Sequence, residues 1–255
     1  MPSRYHARGP VASAAFRFAG PASGECRLRG HRGAHAIAHR PGSGYIGALE
    51  AAPPLQKGIF AVPVRISLQV PDKALLGAYE AALRGGWSPN TTRNVAPQQL
   101  AAIAADPDAF LAEIRGGPGR IRLPDGREVD RIPGPTRWIF AEDRPERPFV
   151  GSINLRWQED AEGRPILALP EHVLGHIGYT VLPAFAGHGY ATAALAAMLG
   201  VARDAGLPEI TITCDVSNHA SRRIIEKNGG RLVETFVAPL YGPDPRLRFI
   251  VSTAP

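Results

Sequence analysis

Apolar side chains recur with two different periods in the second half of the chain. Residues 209–215 alternate between apolar and polar side chains, which is typical of a half-buried strand. Residues 190–205 carry apolar side chains at helical spacing, and Gly206 follows as a residue that can end the helix in a left-handed conformation. An apolar strand at 175–182 precedes this helix, so the pattern predicts a crossover connection between two parallel strands.

Proline and glycine divide the rest of the chain into shorter elements. Pro71 and Asp72 predict the start of a helix, because Asp caps free N–H groups and proline fits the first turn. Asp106 and Pro107 predict an interruption of the next helix. In chain order, the patterns predict a strand at 62–68, helices at 71–84 and 97–115, a loop at 116–135, a hairpin of strands at 136–141 and 149–157, and a loop at 158–174.

Positive charge is concentrated at the start of the chain. Of 29 basic and 23 acidic residues, 8 basic and 2 acidic ones lie in residues 1–58, which leaves 21 of each in the remainder. The first segment is rich in Gly, Ala and Pro and lacks a sustained period, so we predict a basic, disordered extension at 1–58 and a folded domain at 59–255. The neutral balance of that domain predicts no electrostatic preference for a substrate.

Composition narrows the classes of partner. The alternatives for the extension are a nucleic-acid arm, an organellar transit peptide and translated upstream sequence. Because the excess of positive charge lies in the extension, nucleic acid is not an expected partner of the domain. Cys26 and Cys214 form neither a disulfide framework nor a metal-ligand pattern, so we expect a cytoplasmic protein without a metal. No apolar run approaches the roughly 20 residues that span a bilayer, and no membrane partner is expected.

A glycine-containing run joins the strand at 175–182 to the helix at 190–205. A strand that ends in glycines and opens a helix presents free backbone N–H groups beside a positive helix dipole, which favours a phosphate or pyrophosphate. This is therefore the expected site of a phosphorylated cofactor. The residues predicted to bind it are Ala186, Gly187, His188, Gly189, Tyr190, Ala191 and Thr192.

Other phosphate loops and a plain turn are the alternatives for this run. A dinucleotide-binding fingerprint would use Gly187 and Gly189 and would place Asp215 near a ribose hydroxyl, but its third small position is Thr192. A Walker loop is excluded, because no Gly-Lys-Ser/Thr follows the glycines. The glycines could also form only a tight turn.

The same run resembles the pyrophosphate loop of the GNAT superfamily of acyl-CoA-dependent N-acetyltransferases, Q/R-x-x-G-x-G/A. Gly189 and Ala191 match the small positions, whereas Ala186 stands where the family has Gln or Arg. Residues 218–229 resemble the second signature of the family, an Asn-x-x-Ser/Ala helix that ends in Lys-Asn-Gly. The two signatures occur in the family's order, and the resemblance is good over residues 132–236.

The resemblance implies an α/β fold with a mixed, strongly curved sheet, splayed parallel central strands and flanking helices. It implies an enzyme that takes acetyl-CoA as acyl donor and transfers the acetyl group directly to a primary amine of a small molecule or peptide. The first helices and the loop at 116–135 would wall the acceptor site. Because Ala186 and Ile225 occupy positions that are usually polar, an acyl-CoA-binding protein without turnover is the alternative.

The resemblance also implies residues that hold the pantetheine arm. Thr180 and Val181, at the end of the first splayed strand, would offer backbone groups to it and an N–H to the thioester carbonyl. Asn218 would cap its helix and direct its amide toward the cofactor, with Ser221 in the same turn.

Two residues are candidates for proton transfer. Many relatives carry a tyrosine seven residues after the signature asparagine, but Ile225 stands there and cannot donate a proton. Tyr241 is therefore the candidate acid. His176 is the candidate base, because its strand should face the thioester and histidine titrates near neutrality, with a hydrogen-bonded core histidine as the alternative.

Overall fold

The computed structural model describes residues 64–132 and 134–254. The predicted extension at 1–58 and the first residues of the predicted strand at 62–68 lie outside the described residues. The elements are β1 (Ile66–Gln69), α1 (Lys73–Arg84), α2 (Ala96–Ala105), α3 (Pro107–Ile114), β2 (Arg120–Arg122), β3 (Glu128–Asp130), β4 (Thr136–Ala141), β5 (Phe149–Leu155), β6 (Gln158–Glu159), β7 (Pro165–Ile166), β8 (Ile177–Val181), α4 (Tyr190–Asp204), β9 (Glu209–Asp215), α5 (His219–Lys227), β10 (Arg231–Val237) and β11 (Pro245–Ser252).

The first sheet has the strand order β1-β4-β5-β8, and each neighbouring pair is antiparallel. One face packs against α4 through fully buried residues such as Ile153. The opposite face packs against α1, α2 and α3, where Tyr79 stacks on Trp138 with ring centroids 4.7 Å apart. Because side chains alternate along a strand, one sheet can hold two separate cores.

The second sheet has the order β10-β11-β9 and is also antiparallel. Alternation in β9 buries Ile210, Ile212 and Cys214 against α4, while the intervening residues are less buried. The predicted strand at 209–215 is confirmed with the same bounds. Cys214 belongs to this core as a small apolar side chain.

The two sheets meet where β8 and β9 begin. The backbone N–H of His176 donates to the carbonyl of Thr211 over 2.8 Å, and beyond this contact β8 and β9 belong to separate sheets. We call the opening between these strands the gap. The predicted splay of the two central strands is therefore confirmed. The dinucleotide-binding alternative is wrong, because β8 and β9 do not pair in one parallel sheet and Asp215 forms an ion pair with Arg246 at 2.9 Å.

Local sequence determines where α1 and α3 begin. The Asp72 carboxylate accepts a hydrogen bond from Leu75 N at 3.0 Å and starts α1 as predicted. Asp106 caps α3 by accepting from the N–H groups of Asp108 and Ala109, while Pro107 occupies the first turn. The predicted interruption of the helix at 97–115 is confirmed as two helices, because proline lacks the N–H that would continue α2.

Several short strands were not predicted. The loops expected at 116–135 and 158–174 contain the hairpins β2–β3 and β6–β7, and the longer strands β10 and β11 were not predicted either. The hairpin strands have two or three residues and are partly exposed, so they show too few alternations to be recognised. Among the described residues, none of the helices combines the length and the hydrophobicity of a membrane span.

Candidate active site

Backbone N–H groups converge where β8 leads into α4. Gly187 and Gly189 have φ values of +79° and +92°, a left-handed conformation that glycine adopts without strain, and Gly189 caps α4 without a side-chain hydrogen bond. The six N–H groups from Gly187 to Thr192 have no acceptor among the described residues. We call these six residues the amide cradle. Such groups, reinforced by the helix dipole, are suited to phosphate oxygens.

The start of α4 is held in place by Tyr190. This side chain is buried, and its hydroxyl donates to the Asp143 carboxylate at 3.1 Å and accepts from Arg144 Nε at 3.0 Å. Both partners lie in the turn between β4 and β5. The side chain of Tyr190 is therefore structural, and only its N–H is available to a ligand.

The predicted loop residues differ in what they can offer. Ala186 N–H already donates to the Pro183 carbonyl at 3.1 Å, so Ala186 has neither a free donor nor a polar side chain, which corrects its assignment as a binding residue. His188 is exposed beside the free N–H groups. The Thr192 carbonyl accepts from Asn228 Nδ2 at 3.3 Å, and the same amide donates to Ile224 O at 2.8 Å. Asn228, from the Lys-Asn-Gly signature, therefore ties the end of α5 to the cradle, which was not predicted.

The end of β8 directs one N–H into the gap. Leu182 N donates to Val150 O on β5 at 2.9 Å, and successive backbone groups along a strand point to opposite sides. Val181 N–H therefore faces the gap. The backbone of Thr180 faces β5 instead, which corrects its predicted role. Its Oγ1 atom is buried and has no partner among the described residues.

Asn218 and Ser221 lie in the first turn of α5. The Asn218 side chain accepts from Ser221 N at 2.9 Å, so the predicted cap is confirmed. The Ser221 hydroxyl lies 2.9 Å from the Tyr179 hydroxyl and thereby links α5 to β8. Burial raises the pKa of Tyr179 to about 12, against a smaller opposite effect of Ser221, so the phenol keeps its proton at neutral pH. Tyr179 was not predicted as a site residue.

His176 is a buried structural residue. Its side chain is fully buried, and its Nδ1 accepts from Thr211 N at 2.9 Å, so both backbone groups of Thr211 bond to this histidine. Burial lowers its pKa to about 4, and the nearby Arg156 guanidinium contributes in the same direction. The prediction that His176 titrates near neutrality is wrong, because the low-dielectric interior disfavours imidazolium. Its role is to join the sheets at the closed end of the gap.

Tyr241 lies near the gap, but its proton is already engaged. Its hydroxyl donates to the His172 carbonyl at 2.5 Å, and Arg246 stacks on its ring with 5.9 Å between Cζ and the centroid. Burial raises the pKa of Tyr241. As an acid it would first have to break the bond to His172. Ile225, which stands where many relatives carry a tyrosine, is fully buried in the core.

A cleft of about 310 Å³ opens beside β8 and reaches Tyr179, Thr180 and Tyr241. Its lining contains no Asp or Glu side chain among the described residues. We call it the arginine cleft, because its lining includes Arg93, Arg122, Arg131, Arg156 and Arg246. The neutral charge balance of the domain therefore does not describe the local composition of this site. The described acidic residues lie outside this lining, and only the fold brings the five arginines together.

Comparisons with known proteins place this geometry in a family. The family described as acetyltransferase (GNAT) domain matches residues 100–231, more than half of the chain. No curated protein sequence matches the chain. Among described residues, no group of His, Cys, Asp and Glu side chains is arranged to hold a metal ion.

The chain is similar to several solved structures, and the similarity to RimJ supports the fold. RimJ from Mycobacterium smegmatis, in complex with CoA-disulfide, is similar with a TM-score of 0.51 and 19% identity over 75% of this chain and 86% of that chain. YncA from Salmonella typhimurium, with its cofactor acetyl-CoA, has a TM-score of 0.43 and 14% identity over 74% and 94%. A GNAT-family acetyltransferase from Bacillus anthracis has a TM-score of 0.36 and 22% sequence identity, over 46% of this chain and 66% of that chain.

Proposed function

We propose that this chain, which belongs to the GNAT acetyltransferase family, transfers an acetyl group from acetyl-CoA to a primary amine. The premise is that the chain is an acyltransferase, as its family membership shows. The observation that carries this proposal is the amide cradle, whose six N–H groups lack acceptors among the described residues. The cradle follows β8 directly, and β8 also lines the arginine cleft. A donor held by its phosphates at the cradle would lie along the gap, within reach of an amine in the cleft.

The residues present fit acetyl-CoA. The cradle provides uncharged donors for a pyrophosphate, and Val181 N–H faces the gap where the pantetheine arm would lie. Acetyl-CoA supplies the acyl group as a thioester. An N–H that is already oriented stabilises negative charge developing on the thioester oxygen, an effect of about 2.7–4 kcal/mol for one donor in other enzymes.

Tyr179 is the proposed proton donor. Its hydroxyl bridges β8 and the first turn of α5, lies beside the gap and remains protonated at neutral pH. In the transfer, a C–N bond forms while the C–S bond breaks. The amine loses one proton to water and the departing sulfur gains one from Tyr179, and Tyr179 then regains a proton from water, which balances the reaction. This assignment replaces the predicted acid Tyr241.

No carboxylate in the described lining of the arginine cleft can serve as a base. The positive charge of the cleft arginines that lack an acidic partner provides another way to obtain a neutral amine, because like charge destabilises an ammonium ion and lowers its pKa. A larger fraction of the bound amine is then uncharged at neutral pH, and water can remove the proton. His176, buried and hydrogen-bonded, is not required for this step.

The proposed acceptor is a small-molecule or peptide amine. A cytoplasmic location, as expected from the two isolated cysteines, is part of the same proposal. The domain is not assigned to nucleic acid, because the arginines of the cleft line a cavity rather than a continuous basic stripe.

The proposal is tested by calorimetric titration of acetyl-CoA into the full chain and into Gly189→Glu. The new side chain is both strained at φ +92° and negatively charged in the cradle, so acetyl-CoA binding should disappear. Gly163→Glu is the matched control, because Gly163 also has positive φ, at +77°, and lies in the β6–β7 turn. Thiol release with amines is measured on the same preparations.

Each outcome decides the proposal. Binding that is lost in Gly189→Glu but kept in Gly163→Glu supports the cradle, and thiol release in the presence of amines supports transfer. Equal binding by both variants contradicts the cradle. Binding without thiol release, whatever amine is added, contradicts the transfer reaction and supports the alternative of a binding protein.

A further inference from the structure

Two of the five arginines of the cleft are held by acidic neighbours. Arg131 Nη1 donates to the Glu113 carbonyl at 2.7 Å and lies 3.4 Å from its carboxylate. Arg246 Nη1 lies 2.9 Å from the Asp215 carboxylate and has little exposed surface. Their charges are compensated, so these two arginines mainly form the wall of the cleft.

Arg156 has no such compensation. It follows β5, and its Nη2 donates to the uncharged Asn154 Oδ1 at 3.2 Å. Its Nε is buried without an acceptor, and no carboxylate of the described residues lies within 4.0 Å of the guanidinium. Burial, with a smaller contribution from Arg131, lowers the pKa of Arg156. An unpaired charge removed from water is costly, so this guanidinium would gain from an anion in the cleft.

The backbone opposite Arg156 leaves room for its guanidinium. A Cβ atom at Gly178 would lie 2.9 Å from Arg156 Nη2 and 3.3 Å from Asn154 Oδ1. Gly178 is on β8, directly opposite Asn154 in the β5–β8 ladder. The absence of a side chain there places the charged group over the strand that also carries Tyr179 and Val181.

Arg93 and Arg122 add further charge at the exposed side of the cleft. Arg93 Nη1 donates to the Arg122 carbonyl at 3.2 Å, and both side chains are exposed. Neither forms an ion pair with a described carboxylate. Guanidinium groups bind carboxylates and phosphates through two parallel hydrogen bonds, whereas they repel amines that carry a second positive charge.

We propose that the acceptor is a small primary amine that also carries a carboxylate or a phosphate, and that Arg156, with Arg93 and Arg122, binds this anionic group. The inference rests on the proposed function, because it names the acceptor of that reaction. A cleft of about 310 Å³ fits a small metabolite rather than a folded surface. Polyamines and other polycationic amines are excluded as good acceptors by the same charges.

Binding tests this inference without depending on turnover. Four amines of similar size are titrated calorimetrically into the full chain saturated with CoA: β-alanine, O-phosphoethanolamine, propylamine and 1,3-diaminopropane. At least one of the two acids should bind about 10-fold or more tightly than propylamine, and the diamine most weakly. Tighter binding of β-alanine identifies a carboxylate as the anion, and tighter binding of O-phosphoethanolamine identifies a phosphate.

Variants locate the binding group. Arg156→Met should weaken binding of the preferred acid about 10- to 100-fold and leave propylamine unchanged. Arg164→Met, an exposed arginine on the β6–β7 hairpin, is the control and should change neither. Arg122→Met, at an exposed position, is the second variant in case Arg156→Met does not fold, and it should weaken acid binding several-fold.

The remaining outcomes overturn the inference. The proposal of an anionic acceptor is overturned if propylamine or the diamine binds with the same affinity as both acids. It is also overturned if neither acid binds at about 10 mM. The tripeptide Ala-Asp-Asp binding more than about 10-fold better than both acids would replace the small molecule by an acidic peptide. Failure of the proposed function is a different result, namely the absence of acetyl-CoA binding or of thiol release.

Discussion

The amide cradle and the arginine cleft adjoin the same strand, β8, but they use different parts of the chain. The cradle consists of six consecutive residues and offers backbone N–H groups. The cleft takes its arginines from positions between 93 and 246 and offers side-chain charge. Backbone donors suit a cofactor that never varies, whereas side chains can change without altering the fold. On this difference rests our proposal that the cradle binds the cofactor and the cleft selects the acceptor.

His176 joins the strands that both regions use, so replacing this residue should have the largest effect, which is on the free energy of unfolding. Its pKa is about 4 when folded and about 6.5 when unfolded. The unfolded chain therefore takes up the proton first as pH falls from 6.5 to 4, and stability decreases over this range by up to about 3 kcal/mol. His176→Asn, which keeps an acceptor for Thr211 N, should lack this part of the pH dependence.

Urea unfolding at several pH values measures this effect. His219→Asn removes an exposed histidine from α5 and is the matched control. If the free energy of unfolding depends on pH between 6.5 and 4 in His176→Asn as it does in the wild type, other groups cause the loss of stability in acid. His176 would then not be the buried link between the sheets.

Tyr179→Phe should separate catalysis from binding in both regions. The variant keeps the ring that packs in the core and removes the hydroxyl beside Ser221. Turnover should fall about 10²-fold, as expected for loss of a general acid, while acetyl-CoA affinity changes little. Steady-state kinetics and calorimetry on the same preparation measure the two quantities. Tyr241→Phe is the comparison, and a larger loss of turnover there would return the acid to Tyr241.

Gly178→Ala should affect the cleft and spare the cradle. The added methyl group would lie 2.9 Å from Arg156 Nη2 and displace the guanidinium. We expect KM for the acceptor to rise about 10-fold while the acetyl-CoA dissociation constant stays within about 2-fold. Gly200→Ala, on α4, is the control and should change neither value. A parallel loss of acetyl-CoA binding would mean that the two regions are not independent.

Asn228→Ala should produce the smallest effect, and it should affect the cradle rather than the cleft. It removes the hydrogen bonds to Ile224 O and Thr192 O that tie α5 to the start of α4. Thermal unfolding should report a loss of about 1 kcal/mol, and acetyl-CoA should bind a few-fold more weakly. Asn94→Ala removes a comparable bond to Ala96 N, far from the cradle in sequence. Equal weakening by both variants would contradict the specific role of Asn228.

Features that depend on neighbouring residues could be predicted from the sequence, whereas features that depend on distant residues could not. The cap at Asp72, the break at Pro107 and the glycines of the cradle act on neighbouring residues, so local rules predicted α1, α2, α3 and α4. His176 was misassigned because its burial depends on β9, which lies 35 residues away at Thr211. The arginines were missed for the same reason, since net charge counts residues without placing them. Tyr179 lay in an ordinary strand pattern, and only Ser221 reveals its hydroxyl as a bridge.

A crystal structure of the full chain with CoA tests the central division of roles most directly. The account predicts pyrophosphate oxygens within about 3 Å of N–H groups in the cradle and an arginine cleft free for the acceptor. A pyrophosphate bound by Arg156, Arg93 and Arg122, with the cradle unused, would contradict it. The arginines would then be the cofactor site, and both the cradle and the anionic acceptor would have to be abandoned.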